Sequence, residues 1–144
     1  MTHAADVARW LGGKKLLKSE VRSDLDFVRL VQEGLPTAVL EGLVARGELT
    51  AQEVEKFIIP RRTLAHRKRR RQPLSREESD KLARVARIFA VANETFQNRD
   101  KAAAWMRRPN RVLDGRTPVD LLDTDSGARM VEQTLERVAH GVFD

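Results

Sequence analysis

The chain has 144 residues, 41% of them hydrophobic and 33% charged, and apolar positions recur periodically along it. That is enough for one core, or for two small helical units sharing one, and it excludes full disorder. It has no cysteine, which excludes disulfides and thiolate metal sites, and no apolar run approaches the roughly 20 residues that cross a bilayer. The formal charge is +6, but residues 110–144 carry five Asp and two Glu against four Arg, a net −3, which leaves +9 on the preceding part; a basic body with an acidic end points to nucleic acid at one site and a different partner at another.

The first residues, M-T-H-A-A-D-V-A-R-W-L-G-G-K-K, lack the apolar core that follows a basic start in a signal peptide, so a cytoplasmic protein is expected. Asp6 to Leu11 reads as a short amphipathic helix stopped by Gly12-Gly13, and Lys14 to Ser23 as a polar, mobile connection. Among Leu25, Phe27, Val28, Leu30 and Val31 the spacing 27, 30, 31 suits a helix and 25, 27 a strand; helix is preferred, broken at Gly34. Pro36 starts the next helix, with Val39, Leu40, Leu43 and Val44 inward and Gly47 at its end.

Thr50-Ala-Gln-Glu53 is a capping box, and Val54, Phe57 and Ile58 form the stripe of the helix it opens. Pro60 opens another helix through a basic run that ends at Gln72-Pro73. Ser75-Arg-Glu-Glu78 is a second capping box, followed by a long helix with Leu82, Val85, Phe89, Ala92 and Phe96 on one stripe. Arg99 to Arg107 is helical, with Ala102, Trp105 and Met106 inward, and Pro109-Asn110 stops it. Thr117-Pro118 starts a short helix through Leu122, and a last helix runs from about Asp125 to His140 with Ala128, Val131, Leu135 and Val138 inward. No strand and no long-period repeat is evident, so the fold class is all-α.

Thr50 to Arg71 holds two short helices joined by a tight turn, with Val54 and Leu64 as the contacts that set their crossing. Arg61, Arg62, Thr63, His66 and Arg67 cluster in the first turns of the second helix, the part of a recognition helix that meets base edges. Arginine can donate twice to guanine O6 and N7, Thr63 can meet a phosphate or a thymine methyl, and Lys68 to Arg71 suit backbone phosphates. The competing reading is a solvated charged face. The turn carries Ile58-Ile59 rather than glycine, and because β-branched residues resist positive φ, it must be built differently from the common glycine turn.

The end of the chain offers no catalytic set. His3, His66 and His140 show no metal-ligand spacing, no phosphate-binding glycine loop or nucleophile arrangement is present, and the carboxylates, Glu132 with Arg129 among them, read as a surface network. No enzyme, metal or cofactor is expected. Trp105 reads as core, Gly115 and Gly127 as turn or close-packing residues, and Arg107 and Arg108 as candidates for contact with a partner.

Several segments together resemble the antitoxins of the Xre/MbcA/ParS type, in particular the Xre partners of RES-domain toxins. They are G-L-P at 34–36, R-T-L-A-H-R-K at 62–68, L-S-R-E-E-S-D-K-L-A-R at 74–84, A-W-M-R-R-P-N at 104–110, L-D-G-R-T-P-V-D-L-L at 113–122 and D-T-D-S-G-A-R-M-V at 123–131. The resemblance covers about residues 30–144 and has no diagnostic match before Leu25. It implies a Xre-like helix-turn-helix domain (25–73) and a helical toxin-binding domain (74–144); the N-terminal segment (1–24) lies outside the resemblance and reads from its composition as partly flexible. It also implies a homodimer on a palindromic promoter, repression of its own operon, and inhibition of a RES toxin that consumes NAD⁺. DNA would be read by Arg61, Arg62, Thr63, His66, Arg67 and Lys68. The toxin would meet Arg107 and Arg108, with Gly141, Val142, Phe143 and Asp144 covering its active site; the competing reading folds Val142 and Phe143 back onto the core. Two other readings stand beside it: a stand-alone regulator whose C-terminal part only dimerises, and a localisation adaptor.

Overall fold

Six side chains set where helices begin. Ser23, Thr50, Ser75, Asn98, Asn110 and Thr124 each precede a helical segment and accept a backbone N–H from its first turn, which relieves one of the amides that no helical carbonyl can reach. The computed structural model describes residues 2–141. Its elements are α1 (Ala4–Leu11), α2 (Gly13–Leu17), α3 (Asp24–Glu33), α4 (Thr37–Ala45), α5 (Ala51–Phe57), α6 (Arg61–Arg69), α7 (Arg76–Phe96) and α8 (Arg99–Met106), then two 3₁₀ helices (Arg111–Leu113 and Pro118–Asp123), then α9 (Asp125–Ala139). Among the described residues there is no strand, and the all-α reading holds.

The chain forms two compact units, one of residues 3–86 and one built from residue 87 onward. The boundary expected at residue 74 falls at the start of α7, whereas the two units divide within that helix.

In the first unit the N-terminal segment is helical beyond the expected short piece. Lys14 to Ser23 reads as a connection in the sequence, yet Gly13–Leu17 forms α2 and Leu17 is buried. The reason is apolar contact: α1 and α2 both pack on α4. Leu16 lies where a side chain on Gly42 would stand, 2.7 Å from the position of the missing Cβ. Val7, Trp10 and Leu11 are buried, and Arg46 at the end of α4 donates to the Trp10 carbonyl at 2.9 Å. α3 is the helix that the 27, 30, 31 spacing predicts, although none of its side chains is fully buried. Val44 is 39% exposed rather than inward, because Val39, Leu40 and Leu43 already fill the stripe of α4.

The Gly34-Leu35-Pro36 segment is the keystone of this unit. The Leu35 N–H donates to Ser79 Oγ of α7 at 2.8 Å, and the Leu35 carbonyl accepts from the Leu74 N–H at 2.9 Å. Both Leu35 and Ser79 are fully buried. Gly34 has φ 103°, and a Cβ there would stand 2.3 Å from the Leu74 carbonyl oxygen, so the approach requires glycine on both counts.

The second unit is organised around α9. Ala128, Val131 and Leu135 are buried as expected, with Thr134 beside them, its hydroxyl donating to the Met130 carbonyl at 2.8 Å. α9 starts against the second 3₁₀ helix, and Gly127 allows it: a Cβ at that position would lie 2.0 Å from the Leu121 carbonyl oxygen. Trp105 and Met106 of α8 are core, and the Trp105 ring lies 5.9 Å from that of Phe96, tilted by 45°. Glu132 pairs with Arg87 at 3.0 Å across helices rather than with Arg129, which pairs with Asp125. The short helix predicted from Thr117-Pro118 is 3₁₀ in form, and the 3₁₀ turn at 111–113 lies in a stretch that gave no helical signal.

Candidate functional site

α5 and α6 are joined by Ile58, Ile59 and Pro60. The amides of both isoleucines donate to the Val54 carbonyl at 3.0 Å, and both side chains are buried. Ile58 has φ −122° and Pro60 φ −60°. The chain therefore turns without positive φ, as the β-branched pair requires. The two buried isoleucines anchor the turn itself, so α6 begins at a fixed place. The capping box that starts α5 is formed in both directions, Glu53 N–H to Thr50 Oγ1 at 3.0 Å and Thr50 N–H to Glu53 Oε1 at 2.9 Å.

α6 itself buries no side chain completely; Leu64, expected inward, is only partly covered, with Thr63 and Ala65. Its basic residues divide into two groups. Arg62, His66 and Arg69 are exposed and, among the described residues, have no ion pair or side-chain hydrogen bond. Arg61, Arg67 and Lys68 are each engaged by a carboxylate from a different helix. Arg61 meets Glu55 of α5, with Nη2 at 3.8 Å and its backbone N–H donating at 3.2 Å. Lys68 Nζ lies 3.6 Å from Glu41 of α4. Arg67 makes a two-pronged pair with Glu78 of α7, Nε to Oε1 and Nη2 to Oε2, both at 3.1 Å. Only this last pair is withdrawn from solvent, its side chains 26% and 13% exposed, and only there is an ion pair worth much in water.

Glu78 serves twice. Its Oε1 also accepts the Ser75 N–H at 2.7 Å, closing the capping box of α7. Burial works to raise the Glu78 carboxyl, but the Arg67 guanidinium and the Ser75 amide outweigh it and hold the group below the ordinary carboxylate value. The hydrogen bonds and charge of Glu78 in turn raise Arg67. The capping box was visible in the sequence; that the same carboxylate reaches α6 was not, because no local pattern records a contact eleven residues away.

In the second unit, Arg107 is half-covered, its guanidinium 5.4 Å above the Phe89 ring, while Arg108 is exposed. Asn110, which sequence reading treated only as a helix stop, is buried and closes the following loop. Its Oδ1 accepts from Val112 at 2.9 Å, its carbonyl from Gly115 at 2.8 Å, and its amide donates to Arg116 at 3.0 Å. Gly141 ends α9 with its N–H on the Val138 carbonyl at 3.1 Å. Val142, Phe143 and Asp144 lie outside the described residues.

Comparison with known proteins gives each unit a counterpart. Residues 26–87 match the family model of the antitoxin Xre-like helix-turn-helix domain, and residues 91–141 that of the antitoxin Xre/MbcA/ParS C-terminal toxin-binding domain. An Antitoxin Xre of Pseudomonas putida is 38% identical over 122 residues, 85% of this chain and 76% of its own length. The chain belongs to the Xre/MbcA/ParS antitoxin family. An Antitoxin Xre of Photorhabdus laumondii is 31% identical over 115 residues, 78% of each chain. A more distant relative, a Prs ADP-ribosylating antitoxin of Sphingobium sp., is 22% identical over 131 residues, 84% of this chain and 82% of its own.

This antitoxin therefore carries a helix-turn-helix domain and a toxin-binding domain in that order. The family helix-turn-helix ends at residue 87, where the chain passes from one compact unit to the other. α1 and α2 precede that match, and they are fastened to it through Trp10, Leu17 and Arg46. No helix among the described residues is long and apolar enough to cross a membrane.

Proposed function

We propose that this antitoxin inhibits a RES-domain toxin that consumes NAD⁺ and represses its own operon by binding promoter DNA as a cytoplasmic homodimer. The observation that carries the DNA half is the exposed start of α6. Arg62 and His66 are unengaged there and Thr63 stands beside them, on a helix held to its neighbours by three carboxylates. Two recognition helices about one turn of DNA apart read a palindrome, which calls for two copies. In this reading Arg62 and Thr63 contact bases, and Arg61 and Lys68, whose ion pairs are exposed and weak, can exchange their carboxylates for phosphates.

The toxin half rests on the C-terminal family domain and on Arg108, with Arg107 held over Phe89 beside it. The name of the Sphingobium relative refers to ADP-ribosylation, chemistry whose donor is NAD⁺, and this supports a partner acting on NAD⁺. Residues 141–144 would enter the toxin's cleft, Phe143 as an apolar anchor and the Asp144 side-chain carboxylate toward basic groups that normally receive a nucleotide.

The test is co-expression with a RES-domain toxin, comparing the full chain with one ending at His140. Cellular NAD⁺ is expected to be preserved by the full chain and lost with the truncated one. A truncated chain that protects equally well would remove the plug from the account. A full chain that neither binds nor protects would favour a stand-alone DNA-binding regulator.

A further inference from the structure

The recognition helix poses a mechanical question. α6 fixes base-reading side chains, yet it buries none of its own side chains fully. Its uncharged side chains Thr63, Leu64 and Ala65 are only part-covered. The turn before it is firmly seated by Ile58 and Ile59, but that fixes only the N-terminal end. Toward the other end, the Gln72 N–H returns to the Arg67 carbonyl at 2.9 Å, which closes the helix without tying it to another element. Beside its packing on α4, what ties the last turn of α6 to the rest of its unit is the forked Arg67–Glu78 pair, set next to the weaker, exposed Lys68–Glu41 contact.

From this geometry we infer that Glu78 is a positioning residue for DNA recognition: acting through Arg67, it sets the orientation of α6, so that an acidic side chain is required for tight binding to a polyanion. The inference rests on the reading of α6 as the DNA-binding helix. It changes the role of Arg67, which spends both prongs of its guanidinium on Glu78 and serves as a strut rather than a base reader. It also joins two domain features. The carboxylate that starts α7 by capping Ser75 is the one that holds α6, so the end of the recognition helix and the start of the helix leading into the second unit share one acceptor.

The inference opposes simple electrostatics. If Glu78 were only a negative charge near DNA, removing it would strengthen binding, and a released Arg67 would gain a phosphate, steepening the dependence of log K on log salt by about 0.9. If Glu78 positions α6, removing it weakens specific binding and leaves that slope alone.

The experiment uses the full-length protein and two duplexes of equal length, the DNA immediately upstream of its own gene and a scrambled control, titrated at several salt concentrations. Glu78→Gln retains a side chain competent for the capping box and loses the charge. Arg67→Lys retains the charge, and with it any phosphate contact, but loses the fork. Both are expected to weaken upstream-DNA binding at least about fivefold, the lower end of what one misplaced base contact costs, with scrambled-DNA binding and the salt slope unchanged. A double variant no weaker than either single one is the further expected sign of one shared device. Glu78→Gln binding as tightly as wild type or tighter, or Arg67→Lys matching wild type, overturns the inference. Wild-type protein that does not distinguish the two duplexes overturns the DNA-reading function itself, and the inference with it.

Discussion

Replacing Ser79 by Ala tests the keystone of the first unit. Ser79 Oγ accepts the Leu35 amide at 2.8 Å with both residues fully buried, so the variant leaves a buried N–H with no acceptor. That penalty is about 1–3 kcal/mol. Ala is the better helix former by up to about 0.5 kcal/mol, which offsets part of it. The net loss is about 0.5–3 kcal/mol, or a melting temperature lower by about 2–9 °C for a chain of this size. Urea unfolding followed by far-UV circular dichroism measures it: the midpoint should fall while the slope m stays constant, because the surface exposed on unfolding is the same. A loss below about 0.5 kcal/mol would show that the Leu35 amide finds another partner and that the Gly34–Pro36 segment is not held by α7.

Gly127→Ala places a methyl 2.0 Å from the Leu121 carbonyl oxygen, a backbone atom that cannot turn aside; a destabilisation of about 1–3 kcal/mol is expected by thermal unfolding, and an unchanged melting temperature would contradict the close approach of α9. Acid lability follows from the carboxyls of Asp6, Asp26 and Glu78. Asp6 is lowered first by the His3 amide and Asp26 first by the Arg22 amide, while Glu78 is lowered by Arg67 and Ser75 against the opposing effect of burial. Groups depressed on folding contribute stability that is whole above their unfolded values, 3.8 for Asp and 4.5 for Glu, and that disappears as pH falls through the folded ones. Stability measured by urea should thus be level from pH 7 to about 5 and decline below about 4.5, and the decline should be shallower in Glu78→Gln; a decline that begins at pH 6 would implicate other groups.

The helices were legible in the sequence because their signals are local. Thr50 with Glu53 and Ser75 with Glu78 announce starts, Gly34 and Pro109 announce stops, and Leu82, Val85 and Phe89 repeat at the helical period. The family was legible for a similar reason, since each motif is a short run with its own turn or cap chemistry. What escaped was set by contacts between distant residues. Lys14 to Leu17 looks polar until Leu17 and Leu16 find α4, and Arg67 looks like a base reader until Glu78 takes both of its prongs. Arg61 and Arg67 are equivalent in sequence, arginines in the first two turns of a basic helix. They are separated by what each one meets: Arg61 an exposed carboxylate at 3.8 Å, Arg67 a covered one at 3.1 Å through both prongs.

The most direct test of two separate binding functions is Arg62→Ala, assayed on one preparation for upstream-DNA binding and for protection from the RES-domain protein. Arg62 is exposed on α6 and unpaired among the described residues, so its loss should leave the fold intact. The account predicts DNA binding weaker by about 1–3 kcal/mol with toxin binding and NAD⁺ protection unchanged. Equal loss of both activities would contradict the division of labour between the two units.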